Sequence, residues 1–413
     1  MKVFNKGVVM ATALAATVLV GVGCGSSGGS SSTADKATST PTTAKVVRPA
    51  PKSDSMPNPG LTGPMEQGGT IEADAIKAGQ AAAEAAGGPV STLPVGKKVG
   101  FLQIIGGIES ADSMANSTRL ALETLGYSVL YCDGKGDPTI WVTCGKSLLN
   151  QGVEAIFQTG IDSASIASVV TEAKAKNVPI IAIGGLTPGF SGNYAPDETK
   201  QGTVAADYMV KALSSLTGEV DIASQSYPAP WAAARGVALV DTLKGTPNIK
   251  ITQKSVADPT KLLESTKSTV TTWLTQNPKL KALWFEFDVA GAAGGQQAGQ
   301  IANGKVFPDA PLVVTFHAEP STQALIKAGS ITAVENVNYQ ASSWIGVDQY
   351  AEYMARKTPF STELMPEYAG IGNGYSFSMV DKSNVDKVVG KYIATEADVV
   401  SFFKAKWKAE FGL

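Results

Sequence analysis

Few residues in this chain are equipped for covalent or metal chemistry. There is one histidine, His317, and there are three cysteines, Cys24, Cys132 and Cys144. A lone histidine with no finger-type cysteine spacing predicts no metal site. No G-x-S-x-G elbow between a strand and a helix offers a serine nucleophile, and His317 has no recognisable Ser or Cys partner in sequence. The segment 299–305 (GQIANGK) imitates a phosphate loop, but Val306 stands where a magnesium-binding Ser or Thr belongs, and a helix precedes it where a strand is needed. No cofactor is therefore expected, and the chain reads as a non-enzyme. What remains is chemistry suited to non-covalent binding. The polar candidates are Glu109, Ser110 and Asp112 in the loop after the first strand, although a Ser or Asp there serves equally as a helix cap. Trp231 opens a helix and suits packing or stacking on a flat ligand face. His317 ends a strand, where its ring nitrogens suit hydrogen bonding.

The elements that must position these groups begin after an N-terminal address. Lys2 and Lys6 precede an uncharged apolar run over 7–22, followed by Gly23-Cys24 and Gly/Ser-rich sequence. This describes a cleaved export signal, too short for a comfortable membrane span. It resembles a bacterial lipoprotein signal (1–24), with Gly21 where that pattern prefers leucine, and so predicts lipidation at Cys24 and anchoring to the bacterial cell membrane. The alternative is a secreted or periplasmic protein cut near the same place. Residues 25–70, rich in Ser, Thr, Pro and Gly, lack apolar periodicity and read as a flexible tether. An alanine-rich helix and linker at 71–96 follow. In an exported protein Cys132 and Cys144 suit a disulfide, with two buried thiols as the alternative. A net charge of -2 offers no basic surface to nucleic acid or an acidic membrane.

From residue 97 onward, β-branched apolar runs at 99–105, 127–131, 153–158 and 178–183 alternate with helix-length segments at 110–125, 138–150 and 163–176. After a break near 193–197 the alternation restarts, with strands at 219–223, 249–256, 280–287, 312–316 and 331–337. Continuous apolar strands separated by amphipathic helices predict parallel β-α-β units. Two such runs are too many for one ordinary sheet, so an α/β fold of two doubly wound parallel-sheet lobes follows, with a site between the carboxyl ends of their strands.

The order of KKVGFLQII, LETLGYSVLYCDGKGD, NQGVEAIFQTGIDSASI, AKAKNVPIIAIG, NYAPDETKQGTVAADYM, AAARGVALVDTL, LKALWFEFD and AGSITAVENVNYQ resembles the type I periplasmic binding proteins, the ribose-binding-like receptors of ABC importers. The resemblance implies three crossover segments, near 195–198, 337–340 and 371–375. It implies an N-terminal lobe of 97–197 and 338–373 and a C-terminal lobe of 198–337 and 374–413. It further implies a small-molecule ligand, ABC permease partners and a monomer, with a sensor for a chemoreceptor or kinase as the alternative role. It places Arg235, His317 and Asn338 at ligand-contacting positions, Asn338 in competition with Glu335, Asn336 and Gln340. Phe287 replaces a family asparagine, and Gly184-Gly185-Leu186 replaces an Asp-Arg pair that grips sugar hydroxyls. These exchanges imply a pocket more apolar and aromatic than a ribose site. A DNA-binding regulator with this core is excluded by the export signal and the lack of a basic helix-turn-helix.

Overall fold

The computed structural model describes residues 70–90, 93, 97–372, 374–389, 392–393 and 398–413. The signal 1–24 with Cys24, and the tether up to residue 69, lie outside the described residues. After helix α1 (Thr70–Ala85), the first lobe runs β1 (Lys98–Gln103), α2 (Glu109–Thr124), β2 (Ser128–Asp133), α3 (Pro138–Asn150), β3 (Ile156–Thr159), α4 (Ala167–Ala175), β4 (Ile180–Ile183) and β5 (Gly192–Tyr194). Its strands form one parallel sheet in the order β2-β1-β3-β4-β5. The second lobe runs α5 (Glu198–Leu213), β6 (Val220–Ser226), α6 (Pro230–Leu243), β7 (Ile249–Val256), α7 (Leu262–Gln276), β8 (Ala282–Phe285), α8 (Asp288–Ala302), β9 (Leu312–Phe316), α9 (Pro320–Ala328) and β10 (Ala333–Val337).

Strands β3, β4, β8, β9 and β10 are buried at every position, as apolar runs covered on both faces must be. Helix starts are fixed locally. Asp137 accepts from the Thr139 N–H with Pro138 at the first helical position of α3, and Asp197 accepts from the Lys200 N–H at α5. Cys132 on β2 and Cys144 on α3 are disulfide-bonded, their Cα atoms 5.7 Å apart.

The chain then returns. Helix α10 (Tyr339–Arg356) packs on α2, β4 and β5 of the first lobe, and β11 (Phe377–Asp381) joins the second sheet antiparallel to β10, giving the order β11-β10-β9-β8-β6-β7. The last helix, α11 (Val399–Phe411), departs from the expected boundary. The resemblance implies that 374–413 belongs to the C-terminal lobe, but α11 packs against α1 and α10 on the first lobe. The chain thus crosses once more after β11. The physical reason is complementarity: Trp407 stacks on Trp344 of α10 at 5.2 Å, and Lys406 Nζ donates to Asp348, Glu352 and Glu410 at 2.7–2.9 Å. These three carboxylates gather as metal ligands would, but the Lys406 ammonium occupies their centre. Helix α1 crosses α11 closely, for a Cβ on Gly79 would lie 2.2 Å from the Phe402 carbonyl oxygen. Among the described residues no helix is long and apolar enough to cross a membrane.

Candidate functional site

Both sheets aim the carboxyl ends of their strands at a shared cleft. Ile104 and Ile105 follow β1, Thr159 and Gly160 end β3, and Gly184 and Gly185 follow β4. From the other lobe Tyr227 follows β6, Phe287 follows β8 and His317 follows β9. Helices α2 and α6 add Ser110, Ala111 and Met114, and Trp231 and Arg235. The enclosed cavity is about 40 Å³, room for a few waters.

One wall is aromatic. Tyr227 stacks on Trp231 with ring centroids 5.2 Å apart, and Phe287 closes the cluster at 5.2 Å and 5.4 Å. The indole reaches across the cleft, where Trp231 Nε1 donates to the Gly160 carbonyl at 3.4 Å. The facing floor has almost no side chains, and this explains Gly184-Gly185. Gly184 has φ of 75°, and a Cβ there would lie 1.9 Å from Met114 Sδ. A Cβ on Gly185 would sit 3.1 Å from Trp231 Cδ1. An Asp-Arg pair does not fit where the thioether and indole already stand.

Behind the aromatic wall Arg235, 1% exposed, is a hub. Its Nε donates to Glu198 Oε2 at 2.7 Å, Nη1 to the Glu286 carbonyl at 2.8 Å, and Nη2 to the Tyr339 hydroxyl at 2.7 Å. Nη2 also lies 3.2 Å from His317 Nε2. Since a guanidinium only donates, His317 Nε2 accepts, which leaves the proton of a neutral ring on Nδ1, 3.7 Å from Asp288 Oδ1. Burial opposes the charge on Asp288, but His317 and the Val289 N–H outweigh it and hold its carboxyl below the usual range. His317 has φ of 64°, a left-handed conformation costing about 1–3 kcal/mol. Its N–H donates to the Glu335 carbonyl at 2.7 Å, and its own carbonyl accepts from the Glu319 N–H at 2.8 Å, holding the kink that turns the ring into the cleft.

Comparison with known proteins agrees with this architecture. Residues 99–358 match the family model described as a periplasmic binding protein domain. The chain belongs to the periplasmic binding protein family. A xylitol-binding protein of Mycolicibacterium smegmatis is 26% identical over 154 residues, which span 37% of this chain and 42% of that relative. Among solved structures, a galactofuranose-binding protein superposes with a TM-score of 0.62 at 17% identity, over 71% of this chain and 97% of that one. An ABC transporter solute-binding protein of Agrobacterium vitis, with bound allitol, gives a TM-score of 0.62 at 17% identity over 72% and 99%. At these identities the structural likeness speaks for the fold alone.

In this periplasmic binding protein, Ser110, Trp231, Arg235, Phe287 and His317 meet at the cavity. Glu109, Asp112 and Asn338 do not line it, because each is spent on the protein itself. Glu109 Oε2 accepts from the Ser321 N–H at 3.0 Å, joining α2 of one lobe to the start of α9 in the other. Asp112 Oδ1 accepts from Gln103 Nε2 at 2.6 Å and from the Gly107 N–H at 3.2 Å, pinning the loop after β1. Asn338 caps α10, its Oδ1 accepting from the N–H groups of Gln340 and Ala341. Helix α2 itself has no side-chain cap, its N-cap residue being Ile108, so the capping alternative for Ser110 or Asp112 is not what is observed. Thr159, Tyr227, Met114 and Tyr339 went unread. The first two sit at strand carboxyl ends, a signal available in the sequence, whereas nothing local marks Met114 or Tyr339.

Glu286 carries a pH prediction. It is buried beside Arg235, accepting from the Tyr227 N–H at 3.3 Å, and burial pushes its carboxyl up to about 8. A folded pKa above the unfolded value near 4.5 means that the native state holds a proton the unfolded chain has lost. The contribution is whole below pH 4.5 and is lost as pH rises through about 8. Thermal midpoints measured from pH 5 to pH 8.5 are expected to fall for the parent and to fall less for Glu286→Gln.

Proposed function

We propose that this protein is an extracytoplasmic solute receptor that closes two lobes on a small molecule and delivers it to the permease of an ABC importer. The observation that carries the proposal is the cavity built by residues of both lobes at the carboxyl ends of both sheets. A ligand touching both walls favours the closed state because only that state offers both sets of contacts. With so little free volume, entry requires the lobes to part about the segments between β5 and α5, between β10 and α10, between α10 and β11, and between β11 and α11. The relatives' names, xylitol-binding and galactofuranose-binding, support a solute receptor.

The site is not catalytic in this reading, since its titratable groups, Arg235 and His317 among them, are bound to one another. Anchoring through a lipidated Cys24 places the receptor beside its permease. Purified from its source without dialysis, the protein is expected to release a small molecule near one-to-one on denaturation, read by mass spectrometry. A protein that carries none, and whose unfolding no solute library shifts, would sink the receptor reading. In cell fractionation, Cys24→Ser is expected to move the protein from the membrane to the soluble fraction.

A further inference from the structure

The hydroxyls of Thr159 and Ser110 stand apart from the other polar groups around the cavity. Both residues line it, each is 2% exposed, and Thr159 Oγ1 and Ser110 Oγ are buried without a hydrogen-bond partner. Arg235 is committed to Glu198, Glu286, His317 and Tyr339. The backbone is likewise engaged, with the Gly185 carbonyl accepting from Asn193 Nδ2 at 2.9 Å and the Phe287 carbonyl from Thr315 Oγ1 at 3.0 Å.

A polyol or sugar enclosed here brings several hydroxyls into a site with few uncommitted partners. Each hydroxyl left unpaired weakens binding by about tenfold or more. The shape selects too. The floor is glycine backbone at Gly160, Gly184 and Gly185, and the ceiling is the face of Trp231 backed by Tyr227 and Phe287. Floor and indole now touch, so parting the lobes by one ring's thickness opens a slot with two flat, apolar sides. Aromatic stacking fills such a slot, and the two buried hydroxyls at its edge satisfy one or two polar atoms.

We propose that the cleft selects a compact, planar, mainly apolar solute with one or two hydrogen-bonding atoms, stacked on Trp231 and received by Thr159 and Ser110, and that it discriminates against polyols. This rests on the solute-receptor reading. Thr159 is a specificity-determining residue on this view.

The test is calorimetric titration of the full chain in detergent with two sets of probes: benzyl alcohol, benzamide and 4-methylphenol, against xylitol, allitol and D-arabinose. At least one aromatic probe is expected to bind, and none of the polyols or sugars. Thr159→Val is expected to cost about tenfold in the aromatic's affinity while unfolding at the same temperature as the parent or higher, since it removes an unpaired buried hydroxyl. Trp231→Ala is expected to abolish binding. Affinity unchanged in Thr159→Val overturns the role of Thr159. Binding of polyols in place of aromatics overturns the ligand class and leaves the receptor reading standing. If neither set binds, the ligand class falls, and the solute released on denaturation decides the rest: a recovered molecule keeps the receptor reading, and an empty protein ends both.

Discussion

Arg235→Ala is expected to lower the unfolding free energy by about 3–5 kcal/mol, the range for removing one partner of a buried ion pair. Guanidinium denaturation at pH 8 would measure it. Arg235 is 1% exposed and Glu198 2%, and the Glu198 carboxylate would lose its charged partner and keep the hydrogen bond from Gln201 Nε2. The same substitution takes the guanidinium from the Glu286 carbonyl and from the Tyr339 hydroxyl, which keeps Gln201 and His317. The loss should depend on pH. Burial already pushes Glu198 up to about 7 against the pull of Arg235, so without the guanidinium its carboxyl takes a proton more readily. A raised folded pKa stabilises below the unfolded value and ceases to do so above the folded one, so the defect should be milder at pH 5 than at pH 8. Arg235→Met combined with Glu198→Gln, which removes both charges, should recover part of the loss. A variant that keeps the parent's stability and loses only ligand would mean that Arg235 grips solute and is no hub.

That contrast marks how far the sequence could be read. The two lobes were legible because parallel strands buried on both faces must be apolar throughout, and the runs at 178–183 and 312–316 have that character. Trp231, Phe287 and His317 were legible because strand ends and helix starts face a cleft in any such pair of sheets. Glu109, Asp112 and Asn338 stand at the expected positions, but the two carboxylates and Asn338 Oδ1 are taken up by neighbours a few residues away or across the cleft. Sequence marks a polar group's place but not its partner. Gly184-Gly185 read as a missing grip on hydroxyls, and only the coordinates give the reason, the room taken by Met114 and Trp231.

The C-terminal helix carries the second large expectation. Its apolar residues Val399, Phe402, Phe403 and Trp407 recur at helical spacing and announce a docked face, yet spacing does not say which lobe receives it. Lys406 sits on that face and reads as an ordinary surface lysine. It is 3% exposed, and its partners Asp348 and Glu352 lie 58 and 54 residues earlier. Burial works against its charge, but Asp348, Glu410 and Glu352 outweigh it and hold the ammonium well above its ordinary pKa. Lys406→Met would leave three buried carboxyls around one point, with Arg356 reaching Glu352 from the side at 3.0 Å. Burial pushes Glu410 up to about 8 even with the lysine present, so that carboxyl can shed its charge by taking a proton. A loss of about 3–5 kcal/mol is expected at pH 7. Hydrogen exchange should quicken across 399–411, and the fluorescence of Trp344 and Trp407 should shift to the red as the helix undocks. Because α1 rests on α11, exchange in 70–85 should quicken with it, while strands β6 to β9 of the other lobe keep their protection. Protection lost evenly over both lobes would mean that α11 is part of one cooperative core, and a variant within about 1 kcal/mol of the parent would mean that the tryptophan stack holds the helix without the ion cluster.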